Sequence, residues 1–191
     1  DADLFTVVDF LPDRDRQFLT GHKVRTSFIQ NIPGARKHYR SYLPLMPWAV
    51  EQLDLSSYNL VISSSHAVAK GVRTGPQQCH VCYCHSPMRY AWDMREEYLR
   101  EAGISKGLRG QVARFLLERL RRWDLANSAA VDVFIANSAF IAERIRRSYG
   151  RESVVVYPPV DTEYFSPHGE KEDFYLAASR MVPYKRMKLI V

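Results

Sequence analysis

Short apolar runs recur along this chain with stretches of helical periodicity between them, and that alternation constrains the fold more than any other feature. Residues 5–10 (FTVVDF), 58–63 (YNLVIS), 79–84 (CHVCYC), 131–136 (VDVFIA) and 153–157 (SVVVY) each have the length and the β-branched or aromatic content of a strand. Residues 107–127 set Leu108, Val112, Phe115, Leu116, Leu120 and Trp123 at helical spacing, and 139–149 read as a helix that Gly150 closes. The stretch 26–47 mixes helix formers with Pro33, Gly34, Pro44 and Pro47, which predicts loops and a short helix. Strands alternating with helices imply an α/β fold, a doubly wound parallel sheet with helices on both faces.

A chain of 191 residues has room for one such domain and the beginning of another. We read residues 1–165 as a Rossmann-like N-terminal domain, the polar run 166–173 as a linker, and 174–179 (FYLAAS) as a new strand, so that 166–191 hold the start of a second domain. The chain opens at Asp1 and runs to Val191 without a helix stop signal, so both ends read as cut. A hydrophobic share of 46% with 25% charged residues excludes a disordered chain. No apolar run reaches the roughly 18 residues of a membrane span, and no signal-peptide pattern opens the chain. The formal charge of +6 favours anionic partners. Cys79, Cys82 and Cys84 sit too close together for a secreted disulfide framework, which favours a reducing, cytoplasmic compartment.

Ligands of doubly wound sheets bind beyond the carboxyl ends of strands. That rule points to Ser63 through His66, to His85 through Arg89, and to Asn137 and Ser138. A histidine at such an end can bond a substrate hydroxyl or a developing charge, with nearby aromatics to stack on a sugar or an acyl chain; the alternative is a structural histidine. Residues 179–186 (SRMVPYKR) follow a strand and precede a helix, so Arg180 and Lys185 suit a diphosphate; the alternative is a solvated basic turn. The three cysteines with His80 and His85 suggest zinc, but along a strand Cys82 and Cys84 face one way and Cys79 the other, so we read them as small buried hydrophobes and predict no metal. The 107–127 helix carries Arg109, Arg114, Arg119, Arg121 and Arg122 around its apolar stripe, either as a core helix with a solvated basic face or as a contact for anionic lipid headgroups. No base-stacking or groove-entering element accompanies the basic residues, which argues against nucleic acid.

Four segments resemble glycosyltransferase family 4, the retaining family with the GT-B fold: 83–93 (YCHSPMRYAWD), 135–138 (IANS) with 141–145 (IAERI), 156–161 (VYPPVD), and 179–186. Their order and spacing match over about residues 58 to 191. The resemblance implies that Arg180 and Lys185 hold the donor diphosphate and that His85 faces the donor sugar. It further implies that Arg89, Tyr90, Asn137 and Ser138 line the cleft edge or acceptor site, and that Pro158, Pro159 and Asp161 form the interdomain crossover. The parent reaction would be hexosyl transfer from a nucleotide sugar, GDP-mannose or a UDP-hexose, to a glycan or polyprenyl-linked acceptor, without a cofactor. The site would lie in the cytoplasm, peripheral at the inner face of the membrane. The family's glycine-rich loop would precede Asp1 and its E-x-x-x-x-x-x-E region would follow Val191, so the fragment itself is expected to be inactive. A non-catalytic module for glycans or anionic lipids is the alternative, with a nucleic-acid binder behind it.

Overall fold

Residues 2–165, 169, 173–179 and 187–190 are described by a computed structural model of the chain. Leu4–Thr6 (β1) pairs in parallel with Val24–Thr26 (β2) as a small two-stranded sheet. The expected 5–10 strand is therefore shorter and shifted, because its partner supplies only three residues to pair with. Ala35–His38 (α1) and Met46–Glu51 (α2) follow, joined by a 3-10 helix over Tyr39–Leu45 that accommodates Pro44.

The main sheet has four parallel strands in sequence order: Leu60–Ser65 (β3), Cys79–Cys84 (β4), Val133–Ala136 (β5) and Val154–Val155 (β6). Its register aligns Ser65 with Cys84 and Cys84 with Ala136, so the carboxyl ends of β3, β4 and β5 are flush. Arg95–Glu101 (α3), Gly107–Ser128 (α4) and Ala139–Tyr149 (α5) supply the helices, with Met187–Ile190 (α6) near the end of the chain. Ser138 caps α5 by accepting a 3.3 Å hydrogen bond from the Ile141 amide, and Gly150 ends it at φ 65°, a backbone state that suits glycine. Residues 174–179 form no ladder, since no described segment pairs with them; the expected strand there is not found. No helix among the described residues is long and apolar enough to cross a membrane.

Strand alternation divides the sheet. Cys82, Cys84, Phe134 and Ala136 face inward and are buried with Ile141, Ile145 and Tyr149 of α5, while Val61 faces the same way and packs in a second cluster with Val50, Val68 and Leu120. Cys79 lies on the opposite face, as the strand period requires, and is exposed there, which corrects its reading as a buried hydrophobe; Cys82 and Cys84 are buried, and all three are free thiols. Leu60, Ile62, Val133 and Val154 also occupy that opposite face, and among the described residues they remain exposed. On the covered side α4 comes so close that a Cβ at Gly71 would sit 2.2 Å from the Trp123 ring.

The apolar stripe of α4 does not face the core as a whole. Leu120 is buried and Trp123 half-buried, but Leu108, Val112, Phe115 and Leu116 are exposed, which corrects the core-helix alternative for the first half of this helix. The inward side carries Gly110, Leu120, Asp124 and Ser128 instead. Hydrophobic spacing selected the more apolar side, while close packing selected the side with the smaller residues.

His80 is fully buried on β4, where Ser63 Oγ and its Nε2 share a 2.8 Å hydrogen bond and its amide donates to Asp132 Oδ2 at 2.7 Å. Burial lowers its pKa below the ordinary 6.5, because the low-dielectric interior disfavours the imidazolium. His66 shifts the same way. In acid the unfolded chain therefore binds protons that the folded chain refuses, and stability falls as pH drops below 6.5. Thermal melts between about pH 7.5 and about pH 5 should show this loss, with a shallower slope in His80→Gln. Equal slopes in the two proteins would contradict the assignment.

Candidate active site

The flush carboxyl ends of β3, β4 and β5 bring three polar segments to one edge. His85 follows β4 directly and continues its ladder by donating its amide to Ser65 O at 2.8 Å. Its ring is exposed, with Nε2 sharing a 2.8 Å hydrogen bond with Ser64 Oγ and the ring meeting Tyr83 edge-on at 5.3 Å. On its other side the Asn137 amide Nδ2 donates to His85 O at 3.5 Å, and Ser138 Oγ donates to Asn137 Oδ1 at 3.2 Å. The amino-terminal end of α5, with its partial positive charge, opens onto this same edge. His66 completes the cluster: loss of solvation lowers its pKa first, then the nearby His85 and Arg89.

His85, Arg89, Asn137 and Ser138 are thus brought together, as the sequence suggested. Tyr90 turns elsewhere. Its ring packs on the core cluster that contains Met88 and Ala91, meets Tyr98 edge-on at 6.0 Å, and has its phenol pKa pushed up by burial. After Pro87 the chain winds tightly, with the Ala91 amide donating to Met88 O at 3.0 Å and the Trp92 amide to the same oxygen at 3.1 Å, which directs Tyr90 inward. Pro158 and Pro159 are exposed just beyond β6, and Asp161 organises the next turn by accepting hydrogen bonds from the Glu163 and Tyr164 amides at 3.2 and 2.9 Å. Arg180 and Lys185 lie outside the described residues.

The loop carrying His85 is anchored from below by a buried ionic network. Lys70 and Asp124 are 1% and 0% exposed and form a direct ion pair, with Lys70 Nζ also donating to Asp124 O at 3.1 Å. The second carboxylate oxygen of Asp124 accepts from Trp92 Nε1 and from the Tyr149 hydroxyl, both at 2.8 Å. Lys70 Nζ also sits 5.0 Å from the Tyr149 ring centroid, where the aromatic face favours a cation. One carboxylate therefore joins the turn after β3, the 85–93 loop, α4 and α5. A second anchor is surface-lying: Arg144 Nη2 of α5 donates to Asp93 Oδ1 at 2.8 Å as one arm of a two-pronged pair.

Ser64, His66, Lys70, Asp124 and Arg144 were not singled out individually from the sequence. Ser64 and His66 lie in the polar run at the end of β3, which did signal them as a group. Asp124 could have been found as a carboxylate at the inward spacing set by Gly110, Leu120 and Ser128. Lys70 carried no comparable signal.

As a device, the edge offers imidazole and amide groups able to bond sugar hydroxyls, and positive potential from Arg89 and a helix end able to attract an anion. A family model described as Glycosyltransferase Family 4 matches residues 3–164. No curated protein and no solved structure matches the chain.

Proposed function

The chain belongs to glycosyltransferase family 4, and we propose that its parent protein transfers a hexosyl unit, with retained anomeric configuration, from a nucleotide sugar to a hydroxyl of a glycan or polyprenyl-linked acceptor. The observation that carries this reading is His85, held exposed at the carboxyl end of β4 between Ser64 and Asn137. In the proposed reaction the bond between the sugar's anomeric carbon and the diphosphate oxygen breaks with its electron pair going to that oxygen, the acceptor oxygen forms the new bond, and the acceptor's proton passes to the departing diphosphate. His85 bonds the donor sugar and fixes its orientation. Arg89, Asn137 and Ser138 line the acceptor edge, and the α5 terminus adds positive potential.

Arg180 and Lys185 would bind the diphosphate and stabilise the charge that grows on the departing nucleotide, a task that fixed cations can perform in place of a metal ion. Pro158, Pro159 and Asp161 would form the crossover about which the two domains close. GDP-mannose is the first donor to try, with UDP-hexoses next.

The test uses the full-length protein. Arg180→Ala and Lys185→Ala should each lower kcat/KM for sugar transfer by about 10²- to 10³-fold, the loss typical of removing one group that stabilises transition-state charge, with circular dichroism unchanged. Wild-type turnover in both variants would overturn the assignment, and absence of transfer from every nucleotide sugar would overturn the reaction.

A further inference from the structure

One hydrogen bond, shared with Ser64 Oγ at 2.8 Å, fixes the place of His85 Nε2 but leaves the imidazole free to pivot about it, because the terminal torsion of a histidine has only a broad preference. The ring of Tyr83 meets that of His85 at 5.3 Å with 79° between their planes, and a neighbour set crosswise in this way opposes the pivot. Tyr83 is itself held. Its ring lies half-buried on the uncovered side of the sheet, and its hydroxyl donates to Val156 O at 3.1 Å. To reach that carbonyl the side chain spans β5, which lies between β4 and β6. The Val156 amide in turn donates to Ala136 O at 2.9 Å, which extends the pairing of β6 by one residue, and Tyr157, Pro158 and Pro159 follow directly.

We propose that Tyr83 is a positioning residue for sugar transfer: it sets the tilt of the His85 imidazole and takes its own place from the start of the crossover. The inference rests on the transferase reading and adds to it a residue that acts through His85 rather than on the substrate. Leu60, Ile62, Val133 and Val154 on the same side of the sheet are purely apolar. A phenylalanine would cover the sheet as well as Tyr83 does, so the hydroxyl and its bond to Val156 call for a separate reason. That bond joins residues 73 positions apart, and it ends where the chain leaves for the crossover. A shift at the end of β6 therefore moves the Tyr83 ring, and the ring moves the imidazole. Transfer falls by about 10²-fold when a reacting group is misplaced by about 1 Å, so a short lever of this kind suffices. Ser64 acts at Nε2 and Tyr83 on the plane of the ring, so the two supports complement each other.

NMR spectroscopy of the full-length protein with labelled histidine, together with transfer kinetics, tests the proposal. The His85 ring signal, identified by its loss in His85→Ala, should move in Tyr83→Phe, which keeps the ring and deletes the hydroxyl, and move further in Tyr83→Leu. The kcat/KM for transfer should fall by about threefold in Tyr83→Phe, roughly the worth of one neutral hydrogen bond. In Tyr83→Leu it should fall by about tenfold, short of the loss from a misplacement of about 1 Å. In the His85→Ala background neither substitution should lower transfer further, since no imidazole is left to position. Losses that add in that background would show a tyrosine that only supports the sheet, and would overturn the proposal. An unmoved His85 signal in both variants would overturn it too, as would wild-type transfer by Tyr83→Leu. If the wild type transfers sugar from no nucleotide sugar, the transferase reading falls and takes the positioning role with it, while the ring signal still reports whether Tyr83 holds His85.

Discussion

Asp124→Ala is expected to cost about 3–5 kcal/mol of folding stability, the range found when one partner of a buried ion pair is removed. The carboxylate is fully buried and satisfies Lys70, Trp92 and Tyr149 together. Alanine would leave an ammonium without its counter-charge, and an indole N–H and a hydroxyl without their acceptor. Domains are stable by only about 5–15 kcal/mol, so the variant should unfold at markedly lower urea. Asp124→Asn should lie between the two, because the amide keeps an acceptor but not the charge that balances Lys70. Lys70→Met combined with Asp124→Leu should recover part of the loss by removing both charges. An unfolding free energy for Asp124→Ala within about 0.5 kcal/mol of the wild type would show that the network contributes nothing.

His85→Ala should have the opposite profile, with stability unchanged and transfer by the full-length protein reduced by about 10²-fold, the loss expected when a reacting group is misplaced by about 1 Å. The His85 ring is exposed and its side-chain partner Ser64 is exposed as well, so removing it opens no cavity. Ser64→Ala should give a milder loss, because it frees the ring to rotate without deleting it. If His85→Ala turns over at the wild-type rate while Arg180→Ala does not, the histidine is structural and the donor assignment survives without it.

Legibility in the sequence followed punctuation. β4 and α5 could be bounded to the residue, because β4 runs into Ser86 and Pro87, while Ser138 opens α5 and Gly150 closes it. α4 differed by one residue at its end. α3 escaped notice because Arg95–Glu101 is polar almost all round and buries only Leu99, which leaves no period to detect. β1 and β2 are short and depend on each other, so their limits are set by pairing between distant residues. The site edge was legible for a related reason: strand ends are local, and the rule that ligands bind there is general. The Lys70–Asp124 pair joins positions 54 residues apart, and nothing in either neighbourhood names the other.

Leu60, Ile62, Val133 and Val154, turned to water along the uncovered side of the sheet, also govern how the isolated 191-residue chain behaves at high concentration. A contiguous oily surface of this kind makes a folded protein cohesive towards its own copies. Light scattering should rise with concentration and more steeply in sulfate, which strengthens apolar association. Dyes that fluoresce against apolar surfaces should report it before any denaturant is added, and a mild detergent kept below its micelle concentration should suppress both signals.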